Sequence, residues 1–410
     1  MMVESNVERE SDFIDDCYSN DDLSQLQKLS IIIPTYNRNY YLSRCLWYHA
    51  HFPFGQIIVA DSSPENKKVV NRDTVKKIQE IFGANVLYLE YEPETEEYGG
   101  DVYRKWCDAV MHCETLYSQI VTDKEFLIPT ALVSSILYLD QNLDYIAADA
   151  RNYFIRKDKK TGEYVLNPRR QDRHSEIGEN SFERFYDAFT LTPPISNCLI
   201  PSVMRTDCRK DIARYISEEQ VNDIRFGELV QGFFGYLRGK FNYNSLDIML
   251  IRDDSVIRSL KQQWNSPESS ASRYPTTEDY YNNPDCQYLY DSFLSALKTD
   301  LLTHTNLSES DIESFVGRTY TNKYFLRHYL EKKTLRSRIT SFYLVKKIWD
   351  SLPVYFKEMI SRIYSYVFKR PLGVGRICPI NIDEYKEVKV IETVIISTFP
   401  YHSTDRPLDI

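Results

Sequence analysis

Short, unbroken apolar runs alternate with stretches of helical period through the first third of the chain. Residues 29–33, Leu-Ser-Ile-Ile-Ile, end at Pro34, which cannot donate to a ladder, and read as a buried strand reaching its C-terminal edge. From residue 40 to 52 the pattern is helical, with Leu42, Cys45, Leu46 and His49 on one face. Residues 57–60 are a second buried strand, running into the turn cluster Asp61-Ser62-Ser63-Pro64. Residues 69–82 are helical, with Val75, Ile78 and Phe82 aligned and Gly83 as the stop. A third strand is predicted at 86–89, a helix at 102–113 after the Gly99-Gly100 break, and a fourth strand at 116–121 that ends in Thr122-Asp123-Lys124-Glu125. Strands and helices alternating over short connections predict parallel βαβ units with helices on both sheet faces.

Beyond residue 145 the pattern changes. Residues 153–156 and 164–166 flank Lys159-Lys160-Thr161-Gly162, a hairpin signal. A strand is predicted at 195–201, a helix at 224–237 and a strand at 245–251. Residues 265–285 are rich in Ser, Pro, Asn and Thr and read as a linker or long loop. The domain organisation expected is therefore a flexible acidic leader at 1–28, an α/β domain at 29–264, that linker, and a mainly helical region at 286–410.

Composition narrows the class. At 410 residues the chain exceeds one compact unit, and 42% hydrophobic residues mark a globular protein. Its 32 tyrosines supply either an aromatic core or amphipathic rings for sugars and partners. A net charge of -9 argues against a nucleic-acid partner. The eight cysteines, Cys17, Cys45, Cys107, Cys113, Cys198, Cys208, Cys286 and Cys378, form no CxxC pair. With no secretion signal they read as reduced thiols in a cytoplasmic protein. No stretch reaches the ~18 apolar residues needed to span a bilayer.

Ligands of open parallel sheets bind outside the carboxyl ends of strands. Three polar clusters stand at such ends: Pro34-Thr35-Tyr36-Asn37-Arg38, Asp61-Ser62-Ser63, and Asp123-Lys124-Glu125. Turn chemistry also favours Asp, Asn and Ser there, so the argument lies in their recurrence after successive strands.

Those residues carry a resemblance. Residues 30–38, Ser-Ile-Ile-Ile-Pro-Thr-Tyr-Asn-Arg, resemble the opening motif of family-2-type glycosyltransferases of the GT-A fold, and residues 57–63 are similar to their second motif. Asp-Lys-Glu-Phe-Leu-Ile-Pro at 123–129 falls where that family carries its Asp-x-Asp box, most like a bacterial subgroup with a DDDF-like box. Residues 144–154 are similar to the segment that follows it, and the likeness extends to about residue 260. It implies a Rossmann-like, mostly parallel sheet flanked by helices, ahead of the helical C-terminal region.

The resemblance also implies chemistry. Pro34, Thr35, Tyr36, Arg38, Asp61 and Asp123 would bind the nucleotide of a sugar donor, weakly favouring a UDP-sugar. Arg104 or Lys105 would reach its diphosphate, unless they form a solvated helix face. Asp123 and Glu125 would hold Mn²⁺ or Mg²⁺, hard ions that take carboxylate oxygens and stabilise a diphosphate leaving group. Lys124 departs from that pattern: it either faces solvent or neutralises the diphosphate directly. An inverting transfer needs a carboxylate base. Glu228 occupies the comparable place near a helix start, with Asp223 as runner-up, although a carboxylate there also suits the helix dipole. His49 and His51 read as structural.

The acceptor expected is a glycan or lipid-linked molecule. The basic, aromatic segment 336–370 either lies on an anionic membrane, giving peripheral contact at the inner face, or packs as helices with solvated basic faces. Two rival readings are a sugar nucleotidyltransferase, against which the glycine-free Pro-Thr-Tyr-Asn-Arg loop counts, and a non-catalytic module that has lost the metal box.

Overall fold

The structure, a computed structural model, describes residues 23–92, 100–157, 164–168, 175–190, 199–219, 221, 224–253, 284–317 and 391. Nine strands form one sheet: β1 Leu29–Thr35, β2 Gln56–Asp61, β3 Val86–Glu90, β4 Tyr117–Ile120, β5 Glu125–Leu127, β6 Tyr145–Lys157, β7 Tyr164–Pro168, β8 Val203–Arg205 and β9 Lys240–Asp253. Their order is β3-β2-β1-β4-β8-β6-β9-β5, with β7 beside β6. Strands β1 to β4 are mutually parallel, with Thr35 level with Asp61 and Ile32 level with Ile120.

The helices are α1 Asn39–Ala50, α2 Glu65–Phe82, α3 Gly100–Met111, α4 Pro129–Gln141, α5 Ser181–Thr190, α6 Thr206–Glu218, α7 Ile224–Arg238, α8 Pro284–His304 and α9 Glu309–Val316. Strand alternation sets two faces. Ile31 and Ile33 enter a core with Leu42, Cys45, Leu46, Leu132 and Ile136 from α1 and α4, while Ile32 falls on the other face. Parallel strands covered on both sides need continuous apolar sequence, which is why β1 and β2 are buried along their whole length. Helix α2 closes on Gly83 in the left-handed conformation, whose N–H returns to the Gln79 carbonyl.

Helix α1 differs from the amphipathic helix expected. Every residue of it is buried, polar ones included. His49 Nδ1 donates to the Cys45 carbonyl at 2.8 Å, and its Nε2 accepts the Leu127 N–H at 3.3 Å. That pattern needs a neutral ring, and burial lowers the imidazole to about 4.

The mostly parallel sheet flanked by helices is as expected, and β7 runs antiparallel to β6 as the hairpin signal implies; β8 runs antiparallel to β4 and β6, and β5 to β9. Two other expectations are corrected. No strand occupies the described part of 195–201; the strand follows at β8. Helix α6 was not anticipated.

The chain divides into two compact units, 1–312 with 380–410, and 313–379. The first includes α8, where Phe293 stacks on Phe226 of α7 at 5.0 Å and the Ala296 carbonyl accepts the Tyr215 hydroxyl at 2.8 Å. The second contributes only 313–317 to the described residues. Residues 1–22 of the leader, the stretch 254–283 and the segment 336–370 lie outside them. The leader's last six residues are described and correct its expected extent: Gln25–Lys28 form a 3-10 helix, and Leu23 and Leu26 are buried in the core. Among the described residues no helix is long and apolar enough to cross a membrane, and Cys45, Cys107, Cys113 and Cys208 are free thiols.

Candidate active site

The chain runs outward from β1 to β2 and β3, then returns to place β4 on the other side of β1. That reversal makes the carboxyl ends of β1 and β4 a topological switch point, where open α/β sheets bind ligands. The Val121 N–H donates to the Ile32 carbonyl at 2.9 Å, keeping the chain beyond β4 against β1. This brings Asp123 beside the first motif. Thr35 Oγ1 donates to Asp123 Oδ2 at 2.9 Å, and Arg38 lies 3.3 Å from Oδ1.

The loop after β1 turns at Asn37, whose φ of 55° is left-handed. Asparagine tolerates that conformation better than most side chains. Its N–H donates to Ser63 Oγ at 2.8 Å, drawing the exits of β1 and β2 together. The Tyr36 ring stays 39% exposed.

Asp61 organises the second exit. Its fully buried carboxylate accepts from the Ser63 N–H at 2.7 Å, Asn71 Nδ2 at 2.7 Å and the Tyr88 hydroxyl at 2.5 Å. Burial, then the Asp61 partner, holds the Tyr88 hydroxyl well above the usual phenol range. A base N–H would be a fourth donor to a carboxylate with about four lone-pair sites. Of the two α3 cations, Lys105 is buried and donates to the Thr35 carbonyl at 3.3 Å and Ser62 Oγ at 2.7 Å. It therefore braces the exits of β1 and β2, while Arg104 is exposed.

The Asp-Lys-Glu box lies beside β9. Glu125 pairs in register with Arg252, and the Asp253 N–H donates to the Lys124 carbonyl at 3.0 Å. One Glu125 oxygen accepts the Thr122 N–H at 2.9 Å; the other forms an ion pair with Arg252 at 2.6 Å. Lys124 is 8% exposed, and burial, then Arg252 and Arg38, pull its ammonium down to about 8 against the opposing Asp123 and Glu125.

The carboxylates expected to hold Mn²⁺ or Mg²⁺ do not fit that role. Each oxygen of Asp123 and Glu125 already takes a hydrogen bond or ion pair from this chain. Three cationic side chains, Arg38, Lys124 and Arg252, share their surroundings. A divalent ion placed there would stand among those three cations, which repel its charge. Among the described residues no group of three acidic, His or Cys side chains offers an alternative.

Behind the box, Arg44 of α1 meets Asp253 at the end of β9 at 2.6 Å, with each side chain only 2% exposed. The guanidinium stands 5.3–5.4 Å from the Tyr40, Tyr41 and Phe126 ring centroids. Sequence reasoning gave no role to Arg44, Asp253, Asn71, Tyr88 or Arg252. The signal for Arg252 was present: a charged residue leaving an apolar run, as at Asp61 and Asp123. Of the base candidates, Asp223 and the Glu228 side chain lie outside the described residues; the Glu228 backbone is in the first turns of α7.

No family's sequence profile matches this chain, and no curated protein does. Among solved structures it is similar to S. aureus TarS 1–349 in complex with UDP-GlcNAc, at 14% identity and a TM-score of 0.44, covering 80% of this chain and 77% of that one. The same protein in complex with UDP matches at 13% identity and 0.43, covering 90% of each chain. TarS 1–349 without a ligand in its description matches at 15% and 0.38, covering 67% and 80%. Likeness this distant carries no conclusion about what this chain binds.

Proposed function

We propose that this chain is a nucleotide-sugar-dependent glycosyltransferase with a GT-A-type donor domain. The observation that carries this reading is the cluster of Thr35, Arg38 and Asp123 across the β1–β4 switch point, the place where such sheets bind nucleotides. It gains meaning from the family-2-like motifs those residues stand in. Tyr36 offers a ring to the base or ribose. Asp123, oriented through both oxygens by Thr35 and Arg38, keeps lone pairs for a ribose hydroxyl. Asp61 supports the base pocket chiefly by ordering Ser62 and Ser63.

The reaction in this reading is a single inverting displacement. The acceptor hydroxyl oxygen bonds to the anomeric carbon as the bond from that carbon to the phosphate oxygen breaks. The electron pair leaves on the nucleoside diphosphate, and the proton passes to a carboxylate base, Glu228 or Asp223. A UDP-sugar is the favoured donor and a glycan or lipid-linked molecule the acceptor.

The test is a panel of nucleotide sugars read by thermal shift and by product release. One donor should stabilise the chain, by about 2.7 kcal/mol at a hundred times its Kd. Asp123→Asn should abolish most of that shift. Release of nucleoside diphosphate marks a transferase, pyrophosphate release a nucleotidyltransferase, and a shift without turnover a binding module. If no nucleotide sugar shifts the melting temperature, the reading fails.

A further inference from the structure

We infer that the donor's diphosphate is neutralised by this chain's own cations, Lys124 and Arg252 with Arg38, in place of a divalent metal ion. The inference rests on the nucleotide-sugar reading above and specifies how that site meets the leaving group.

Charge is the first support. A pair of carboxylates with one divalent ion is neutral overall. Here the pair Asp123 and Glu125 is met by three cationic side chains, leaving one positive charge with no metal present. Adding a divalent ion would raise the excess to three and force it among two guanidiniums and an ammonium. A nucleoside diphosphate sugar carries two negative charges at its pyrophosphate, so it answers the excess directly.

Unanswered donors are the second support. Lys124 is buried between Asp123 and Glu125 on one side and Arg252 and Arg38 on the other. Arg252 Nε and Thr122 Oγ1 are buried with no hydrogen-bond partner among the described residues. Left unmet, such buried donors favour an acceptor placed beside them. All three residues lie on the 122–125 segment or at the β9 position paired with it, the side of the box an incoming anion would meet. The Glu125 ion pair then has a clear use: it holds the Arg252 fork beside the box.

Transfer needs no bound metal in this arrangement. As the bond to the sugar breaks, the charge that grows on the departing phosphate oxygen falls on fixed ammonium and guanidinium groups.

Calorimetric titration of the full chain with UDP and with UMP, in EDTA and then in excess Mn²⁺, tests this. UDP should bind in EDTA with an affinity within about threefold of that in Mn²⁺, and tighter than UMP. Lys124→Met should weaken UDP by about tenfold or more, the loss of one charged contact, while leaving UMP nearly unchanged, which also reports a folded variant. If that variant does not fold, the wild-type comparison alone decides. UDP binding that appears only with Mn²⁺ would overturn the inference and leave the glycosyltransferase reading standing. No UDP binding in either condition would overturn the inference and the uridine donor, leaving the nucleotide-sugar panel to decide the wider reading.

Discussion

Arg44→Met should cost about 3–5 kcal/mol of stability, the penalty for leaving a buried charge without its ion-pair partner. Arg44 and Asp253 are each 2% exposed and 2.6 Å apart, so water cannot replace the lost guanidinium. The aromatic rings of Tyr40, Tyr41 and Phe126 around it can accommodate a methionine but cannot accept the Asp253 charge. The double variant Arg44→Met/Asp253→Leu should recover most of the loss, because apolar pairs often replace buried ion pairs at little cost. Denaturant midpoints for the two singles and the double give the coupling energy. A single-variant loss below about 1 kcal/mol would show that the pair does not fasten α1 to β9. Since β9 carries Arg252 to the box, the account also expects the surviving fraction of Arg44→Met to bind UDP more weakly.

Glu228→Gln should leave donor binding intact and slow sugar transfer ~10²–10⁴-fold, the range for a lost general base. The substitution keeps size and hydrogen-bonding shape and removes only the capacity to take a proton. Loss of kcat with unchanged donor affinity is therefore the signature to look for. Normal turnover would move the base to Asp223. Weakened donor binding with unchanged kcat would make Glu228 a binding group instead.

The parts of the fold legible in sequence are those whose signal is local. Residues 31–33 and 57–59 are apolar and β-branched because both sheet faces bury them, so β1 and β2 announce themselves. Strand β8, three residues long, has no period to read and exists because β4 and β6 both need a partner between them. Box strand β5 reads as a loop because Glu125 is polar; its pairing with Arg252 of β9 makes it a strand. The antiparallel placement of β8 and β5 is set by the same long-range pairing.

At the site, residue identity was legible and residue partnership was not. Thr35, Arg38 and Asp123 fell at the right strand ends, and the structure brings them together. Lys105 was expected at the diphosphate, and nothing in α3 reveals that its ammonium turns back to Thr35 and Ser62. Glu125 reads as a metal ligand from its box alone, whereas its ion-pair partner Arg252 comes from a strand far away in sequence.

The most direct measurement is amide hydrogen exchange of the full chain with and without a saturating UDP-sugar. The account predicts slowed exchange concentrated at residues 35–38, 61–63 and 122–125, the three strand exits around the β1–β4 switch point, with little change at α8. Slowing confined to other elements, or none with any nucleotide sugar at saturating concentration, would contradict the claim that this switch point is the donor site.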